Sequence, residues 1–324
     1  EPDLAQSDDP SRMPRGERPQ VRHVGFAGLV RVRGMDADRG EDAGVRIRQP
    51  GADACQLLDV APAPQAARAP RPAVILVHGS GGISSYVDDW AKFLNGMGVS
   101  AFILDSFTPR GIVSTTDDKE RLGWLTMIAD AYRALDEVAK HPRVDPARIA
   151  IMGFSVGGHI ALYASLKQFQ QMHGSPNVSF AAYISFYPPC ERRYLKDVDV
   201  SDRPIRIFHG AADDFVPIAA CRAYVERLRA AGADVKLTEY AGAYHAFDWA
   251  ALSPPLKLPQ AQTARHCRIE ETPDGRLIDS VTKQTFTWKD PCVERGGTFA
   301  YNGEAHTQAR VAVKEFFHTV LKAK

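Results

Sequence analysis

Short runs of apolar residues recur along the chain, and a polar or glycine-containing stretch follows most of them. Runs of this length, bounded in this way, predict buried β-strands. One further segment alternates apolar and polar residues, as a strand with one exposed face does. The strands predicted from these patterns are Ala54 to Val60, Ala73 to Val77, Ser100 to Leu104, Arg148 to Met152, Ala181 to Phe186, Ile205 to His209 and, by alternation, Val235 to Tyr240.

Segments with apolar residues at helical spacing lie between these strands. The clearest runs from Gly123 to Lys140, where apolar side chains recur every three or four positions and predict an amphipathic helix. Further helices are predicted over Tyr86 to Met97, His159 to Leu166, Pro217 to Leu228 and Ala305 to Leu321. Strands that alternate with helices predict a fold of the α/β class.

The glycine-rich segment from Gly153 to Gly158 joins a predicted strand to a predicted helix and carries Ser155 at the corner. Glycines two positions before and after the serine remove the β-carbons that would collide in so sharp a turn. This pattern is typical of a nucleophile elbow, which exposes a reactive serine at the start of a helix. The alternative is a turn that only packs closely or cradles a phosphate.

A serine hydroxyl needs a histidine base, and the histidine needs an acid that orients it. In hydrolases with an elbow these residues follow in the order serine, acid, histidine. Asp213 and Asp214 come just after one predicted strand, and His245 follows the next strand. The carboxyl ends of strands in an open α/β sheet are where sites gather. Either aspartate fits the acid position, and the other would then start a turn or cap the following helix.

A fourth requirement is an oxyanion hole. The predicted strand Ala73 to Val77 runs into His78-Gly79-Ser80-Gly81-Gly82, whose glycines let the backbone approach a substrate closely. We expect the N–H of Ser80 or Gly81 to act together with the N–H of Val156. The alternative is an ordinary turn into the next helix.

Composition and charge narrow the function further. With 324 residues and 44% hydrophobic content, the chain can bury one large core, so we predict a single domain over residues 21–324. A net charge of +1 gives no basic surface for nucleic acid or for an anionic membrane, and no metal-binding motif is present. We therefore expect no metal, no cofactor and no membrane insertion.

The first twenty residues, Glu1 to Gln20, combine four prolines with many charges and few apolar residues, which predicts a disordered tail. The fold is expected to begin near Val21. Because the first residue is Glu1 rather than methionine, we expect a processed or trimmed product, for example after removal of a secretory signal.

Five cysteines bear on the cellular compartment. Cys190 and Cys221 lie near neighbouring strand ends, and Cys267 and Cys292 bracket a polar insertion. A polar segment with little core of its own would gain most from a crosslink, which favours two disulfides and an exported, periplasmic or secreted protein. Cys55 is then a buried thiol in its strand. The alternative is a cytoplasmic protein with free thiols.

Together these segments resemble the dienelactone hydrolase family, a branch of the α/β-hydrolases. The segments that carry the resemblance are His78 to Gly82, Asp105-Ser106-Phe107 with Arg110-Gly111, Gly153 to Gly158, Asp213 to Pro217 and Tyr240 to Phe247. The resemblance implies Ser155 as nucleophile, His245 as base and, from its Phe-Val-Pro pattern, Asp213 rather than Asp214 as acid. It also implies a mainly parallel sheet flanked by helices.

Candidate substrate-binding residues also come from segments near these motifs. They are Phe107, Arg110, Tyr187 and Tyr244. Arg110 is suited to an anionic substrate, and a structural ion pair with Asp105 is the alternative.

The chain departs from the family pattern in two places. The enzyme that names the family uses a cysteine nucleophile, whereas this chain has Ser155, which suits ordinary esters better. The insertion Leu252 to Gly303 has no counterpart in compact members. Its aromatic residues Phe286, Trp288 and Phe299 are placed either to form a wall or lid over a substrate or only to anchor the insertion.

These observations predict a carboxylic-ester hydrolase that acts on a small-molecule ester through an acyl-enzyme, as a monomer or homodimer. A thioesterase, an acyltransferase and a small peptidase would share the same machinery. A non-catalytic binding protein on a hydrolase scaffold is the alternative from another class.

Overall fold

A central β-sheet organises the molecule. The computed structural model describes residues 24–26, 30–35 and 69–323. Its main strands are β1 (Val24–Phe26), β2 (Val30–Met35), β3 (Arg71–Val77), β4 (Ser100–Asp105), β5 (Val144–Phe154), β6 (Ala182–Phe186), β8 (Ile205–Gly210) and β9 (Val235–Tyr240), with the two-residue β7 (Arg192–Arg193) outside the sheet. Within the described residues the order is β1-β2-β4-β3-β5-β6-β8-β9. From β4 to β9 the pairs are parallel, and only β1 and β2 are antiparallel.

Six of the predicted strands are confirmed. Their ends agree with the prediction to within two residues, except that β5 begins four residues earlier than predicted. β1 and β2 were not predicted. The predicted strand Ala54 to Val60 with its Cys55, the predicted tail Glu1 to Gln20 and the expected start near Val21 all lie outside the described residues.

Helices cover both faces of the sheet. They are α1 (Ser85–Gly96), α2 (Trp124–Ala139), α3 (Val156–Tyr163), α4 (Lys167–His173), α5 (Ala219–Ala230) and α6 (Gly303–Val320), with 3₁₀ turns at Thr108–Arg110, Lys119–Arg121 and Ala250–Leu252. The predicted helix His159 to Leu166 starts three residues earlier than expected, directly after Ser155, and α4 was not predicted. The other predicted helices are confirmed within two residues at each end.

Two apolar cores lie on opposite faces of the sheet. Along β3, Ala73, Ile75 and Val77 belong to the core under α2, α3 and α5, while Val74 and Leu76 belong to the core under α1 and α6. Successive side chains of a strand point to opposite faces, so an uninterrupted apolar run is what a sheet covered on both sides requires. Burial of each of the Val, Leu and Ile side chains stabilises the fold by roughly 1.5–3 kcal/mol relative to exposure.

The insertion between β9 and α6 is built from short strand pairs. They are β10 (Leu256–Lys257) with β15 (Thr298–Phe299), β11 (Gln262–Thr263) with β14 (Glu294–Arg295), and β12 (Ile269–Glu271) with β13 (Leu277–Asp279) and with β7. A disulfide joins Cys267 to Cys292 within the insertion, and another joins Cys190 to Cys221, as predicted. Across the part of the chain that the structure describes, no helix has the length and apolar character to cross a lipid bilayer.

Candidate active site

Ser155 occupies the corner between β5 and α3, with a positive φ of 54° and a ψ of −117°. A non-glycine residue in such a conformation costs of order 1–3 kcal/mol and is held there by its surroundings. Those surroundings are crowded, since a β-carbon on Gly153 would collide with the carbonyl of Gly157. The turn itself therefore requires glycine at position 153, and the carbonyls of Val77 and His78 at the end of β3 require glycine at position 157.

A chain of hydrogen bonds connects Ser155, His245 and Asp213. His245 Nε2 lies 2.9 Å from Ser155 Oγ, and His245 Nδ1 lies 2.7 Å from Asp213 Oδ2. The other oxygen of Asp213 accepts hydrogen bonds from the backbone N–H groups of Phe215 at 3.0 Å and Val216 at 2.8 Å. The structure thus brings together the serine, one of the two candidate acids and the histidine that the sequence singled out.

Asp214, the other candidate acid, points away from His245 and toward the insertion. Its carboxylate accepts hydrogen bonds from the backbone N–H of Thr298 at 2.7 Å and from the Thr298 hydroxyl at 2.8 Å. Its backbone carbonyl accepts a hydrogen bond from the guanidinium of Arg265 at 2.6 Å. Adjacent aspartates therefore have different partners, and Asp214 fastens the insertion to the loop after β8.

Three aromatic rings pack around the imidazole of His245. The ring centres of Tyr187, Phe215 and Phe299 lie 4.7, 5.1 and 5.0 Å from that of His245, each in an edge-to-face arrangement. Phe299 comes from the insertion, so one of its predicted aromatic residues contacts the candidate base directly. This packing leaves the imidazole little freedom to rotate away from Ser155.

The buried carboxylate of Asp248 fixes the position of Tyr187. Asp248 accepts hydrogen bonds from the Tyr187 hydroxyl at 2.6 Å and from Trp90 Nε1 at 2.7 Å. Burial raises the pKa of Asp248 above its ordinary value, and it raises the pKa of Tyr187 as well. The Tyr187 hydroxyl is therefore occupied within the protein rather than presented to a substrate.

The loop after β3 lies beside the elbow. A β-carbon on Gly79 would lie 3.5 Å from the Ser155 β-carbon, and the Gly79 N–H donates to the Tyr86 hydroxyl at 3.0 Å. Ser80 is held by its carbonyl, which accepts a hydrogen bond from the Thr115 N–H at 2.8 Å. Val156 is the first residue of α3, where a backbone N–H has no partner within the helix.

A cavity opens beside Ser155 and encloses about 440 Å³, including the part open to solvent. The body of the protein contributes Ser155, Val156, Lys119, Trp124, Pro189, Glu191, Phe215, Val216, Pro217 and Ala220, and the insertion contributes Gln262 to Arg265 and Trp288. The insertion therefore forms a wall of this cavity. Within the described residues, no group of histidine, cysteine and acidic side chains is arranged to hold a metal ion.

None of the four residues proposed from the sequence for substrate binding lines this cavity. Phe107 is buried with its ring 4.4 Å from that of His78, and Tyr244 is 36% exposed. Tyr187 is occupied by Asp248, as described above.

Arg110 forms a bidentate ion pair with Asp130 of α2, with N–O distances of 2.7 and 2.9 Å. The predicted pairing of Arg110 with Asp105 is therefore wrong. The Asp105 carboxylate instead accepts the N–H groups of Phe107 and Thr108 at 3.0 and 2.9 Å and closes the turn after β4.

Lys119, Trp124 and Glu191 line the cavity but were missed in the sequence. None of them belongs to a motif, and each reaches the site only through the folding of loops and helices. The one local signal is the position of Glu191, which lies next to a cysteine near the end of a predicted strand.

Comparison with known proteins agrees with the geometry. A model of the dienelactone hydrolase family matches residues 60–321. The chain belongs to the dienelactone hydrolase family. An uncharacterized protein of Mycobacterium tuberculosis strain H37Rv is similar to this family member, with 30% identity over 176 residues, 51% of this chain and 59% of the relative. The chain thus spans less than two thirds of that relative. A probable 2-oxo-3-(5-oxofuran-2-ylidene)propanoate lactonase of Bradyrhizobium is 25% identical over 191 residues, 54% of this chain and 73% of the relative.

Solved structures share the fold of this dienelactone hydrolase family member. A dienelactone hydrolase-like promiscuous phosphotriesterase from metagenomic libraries has a TM-score of 0.52 and 17% identity, covering 78% of this chain and 88% of that one. Esterase 2 of Thermogutta terrifontis, phosphorylated by paraoxon, has a TM-score of 0.50 and 19% identity, covering 81% and 88%. At these identities the likeness concerns the α/β-hydrolase fold alone.

Proposed function

We propose that this protein is a serine hydrolase that cleaves carboxylic esters through a covalent acyl-enzyme. The observation that carries the proposal is the continuous hydrogen-bond chain from Asp213 through His245 to Ser155. Each residue has the neighbour that its role requires. Ser155 is the nucleophile, His245 is the base, and Asp213 orients the imidazole.

In the first half of the reaction, Ser155 Oγ forms a bond to the ester carbonyl carbon and its proton passes to His245 Nε2. Asp213 holds the Nδ1–H of the imidazole and stabilises the imidazolium. The oxyanion accepts hydrogen bonds from the N–H of Val156 and the N–H of Ser80 or Gly81. When the tetrahedral intermediate collapses, His245 returns the proton to the departing alcohol and leaves the acyl group on Ser155.

In the second half, water attacks the acyl-enzyme while His245 takes its proton. The same N–H groups receive the second oxyanion, and the bond from the acyl carbon to Ser155 Oγ breaks with return of the proton to that oxygen. The acid product leaves and the free enzyme is restored. Catalysis in this scheme depends on the rigid placement of the three side chains, which the aromatic packing around His245 supports.

Carboxylic esters are favoured over the other acyl compounds that this machinery can process. The relatives include a probable lactonase and an esterase, and a lactone is a cyclic ester. A small peptidase is disfavoured because the insertion forms one wall of the cavity beside Ser155 and narrows the access of a long peptide chain. A non-catalytic binding protein is disfavoured because the hydrogen-bond chain has no missing member.

We also propose that the protein is exported and forms one domain over residues 21–324. Two disulfides support export, because disulfides persist in oxidising compartments and are rare in the cytosol. One of them closes the insertion, and the other ties the loop after β6 to α5. Both cores draw on elements from the whole of residues 73–323, which supports a single domain over the described part.

Labelling with a fluorophosphonate, read by intact mass, tests the proposed function. A serine activated by a histidine base reacts with this reagent, whereas an ordinary surface serine does not. We expect one adduct per chain, located on Ser155 by peptide mapping, and no adduct in Ser155→Ala. A folded protein that remains unlabelled would favour the non-catalytic binding protein. An adduct on another serine would show that Ser155 is not the nucleophile.

A further inference from the structure

Lys119 is a buried cation at the candidate active site that nothing in the proposed mechanism uses. Its side chain is only 4% exposed and lines the same cavity as Ser155. Its ammonium nitrogen has no hydrogen-bond partner. The insertion holds the backbone of Lys119 in place, because the Lys119 N–H donates a hydrogen bond to Gln262 Oε1 of the insertion at 2.9 Å. The ammonium lies 5.9 Å from the centre of the Phe215 ring, and a cation–π contact at this distance compensates its burial only in part. Burying an ammonium without a hydrogen-bond partner is costly, so such a group in a cavity marks a candidate binding site.

Two other charged side chains line the cavity. The guanidinium of Arg265 is occupied, because it binds Glu294 and the backbone carbonyls of Asp214 and Gly296. Among the described residues Glu191 forms no salt bridge, and its carboxylate accepts a hydrogen bond from its own backbone N–H. Lys119 and Glu191 are therefore the two charged groups of the cavity that remain available to a ligand.

Lys119 and Glu191 influence each other electrostatically. Burial lowers the pKa of Lys119 to about 7, and the charges of Asp117 and Glu191 oppose this shift while that of Arg192 adds to it. Burial raises the pKa of Glu191, and the charges of Arg192 and Lys119 oppose it. Arg192 itself does not line the cavity. Its guanidinium stacks on the Trp124 ring, 3.7 Å from the ring centre.

When Lys119 is protonated and Glu191 is ionised, the cavity selects for a particular kind of ligand group. A carboxylate would satisfy Lys119 but meet repulsion from Glu191, and an ammonium would satisfy Glu191 but meet repulsion from Lys119. A hydroxyl group satisfies both, because it accepts one hydrogen bond and donates another. The rings of Trp124 and Trp288, which also line the cavity, supply apolar surface for the carbon skeleton that carries such a group.

We propose that Lys119 and Glu191 are specificity-determining residues that bind a hydroxyl group of the substrate. Lys119 donates a hydrogen bond to the hydroxyl oxygen, and Glu191 accepts the hydroxyl hydrogen. The proposal rests on the proposed ester hydrolysis and adds the substrate class, which is an ester that carries a hydroxyl group on its acid or its alcohol part.

The test compares butyrate-type esters that differ in one group. Ethyl 3-hydroxybutyrate and 2-hydroxyethyl butyrate carry the hydroxyl on the acid and alcohol side, ethyl butyrate carries none, monoethyl succinate is anionic and choline butyrate is cationic. We expect the kcat/KM of one hydroxyl ester to exceed that of ethyl butyrate by about ten- to a hundredfold, the range for hydrogen bonds to charged groups.

Two variants assign that preference to the pair. Lys119→Met and Glu191→Gln should each reduce the ratio of hydroxyl ester to ethyl butyrate about tenfold or more. The double variant should lose little beyond either single variant, because both residues contact one hydroxyl. Lys314→Met, which removes an exposed lysine of α6, is the matched control and should keep the ratio of the parent.

Other outcomes overturn the proposal. A preference for monoethyl succinate that Lys119→Met abolishes would make the site a carboxylate pocket, and a preference for choline butyrate that Glu191→Gln abolishes would make it a cation pocket. Equal losses on all five esters, or none, would leave the pair without a role in specificity.

A binding measurement separates this proposal from the proposed function. If the parent hydrolyses none of these esters, the proposed function fails while the hydroxyl site is still tested by calorimetry on Ser155→Ala, which needs no turnover. In that variant the hydroxyl ester should bind about tenfold more tightly than ethyl butyrate, and adding Lys119→Met should remove the difference. Equal affinities in Ser155→Ala would overturn the proposal.

Discussion

Asp213 and Asp214 are adjacent in the sequence but bind different partners and have different proposed roles. Asp213 accepts from His245, while Asp214 accepts from Thr298 of the insertion. Asp213→Asn should lower kcat by about three to four orders of magnitude, because an amide stabilises the wrong tautomer of the imidazole. Asp214→Asn should leave kcat within about tenfold and lower the free energy of unfolding by about 0.5–1.5 kcal/mol, because the hydrogen bonds to Thr298 are exposed and the amide oxygen can still accept one. Steady-state kinetics and urea unfolding compare the two, and the reverse ranking of kcat would give the orienting role to Asp214.

The burial of Lys119 predicts how the free energy of unfolding changes with pH, and this prediction does not depend on any substrate. The pKa of Lys119 is about 7 in the folded protein, and an unperturbed lysine has a pKa of about 10.4. Between these values the unfolded chain binds a proton that the folded chain has lost, so this group makes stability rise with pH. Below pH ~7 the penalty for the buried charge is fully present.

Lys119→Met should therefore be more stable than the parent near pH ~6, and the difference should shrink toward pH ~10 by at most about 1.4 kcal/mol per pH unit. Urea unfolding of both proteins across this range measures it, with Lys314→Met as the exposed control. A difference between variant and parent that does not change with pH would contradict the assigned burial of the charge.

A site residue could be predicted from the sequence where a short motif or a strand end marks its position. Ser155 stands in a glycine pattern that the turn itself demands, and His245 and an aspartate follow strand ends, so all three could be located from the sequence. The partner of Arg110 could not. Asp130 lies twenty residues away on α2, and only the packing of that helix brings the two together. Lys119 and Glu191 meet at the cavity for the same kind of reason.

At the scale of elements, the sheet was predictable because its inner strands are covered on both faces and therefore uniformly apolar. The strands of the insertion are only two or three residues long, too short for any periodicity, and apart from the pair of β12 and β13 their partners lie far along the chain. α4 is likewise a seven-residue helix with one buried apolar residue, Phe169, so it carries no helical stripe. These elements exist because of tertiary pairing.

The insertion supplies a prediction of its own, since it forms one wall of the cavity and contacts His245 through Phe299. Replacing residues Gln262 to Gly297 by a short Gly/Ser linker should preserve hydrolysis of p-nitrophenyl acetate but change the ranking of bulkier esters. The reason is that the wall limits substrate shape more than it assists the bond-breaking steps. Relative kcat/KM values across an ester panel, in a variant shown to be folded by circular dichroism, measure the effect. An unchanged ranking would mean that the insertion only stabilises the protein.

One disulfide closes the insertion, and the other joins segments that contribute Pro189, Glu191 and Ala220 to the cavity. Cys267 and Cys292 are 25 residues apart, and closing such a loop stabilises the fold by about 3–4 kcal/mol in the chain-entropy model. Non-reducing peptide mapping should recover Cys190 linked to Cys221 and Cys267 linked to Cys292, with Cys55 as a free thiol. Five free thiols in protein passed through an oxidising compartment would contradict both the pairing and the proposed export.

At the scale of the whole molecule, membership of the dienelactone hydrolase family and the geometry of the site support one account. The sheet brings the loops after β3, β5, β8 and β9 to one edge, which is where ligands bind in open α/β sheets. Each loop carries one part of the proposed machinery. The insertion forms one wall of the cavity at that edge, and both disulfides join segments that line the cavity.

The proposed hydrolysis depends on attack of Ser155 Oγ on the ester carbon, and turnover by the Ser155→Ala variant measures that dependence. This substitution removes the attacking oxygen and leaves the glycines of the elbow unchanged, so the melting temperature should stay close to that of the parent. We expect kcat for p-nitrophenyl acetate to fall by several orders of magnitude, as losses of a nucleophile in a triad do. A folded Ser155→Ala variant that keeps more than about a tenth of the parent kcat would contradict the account.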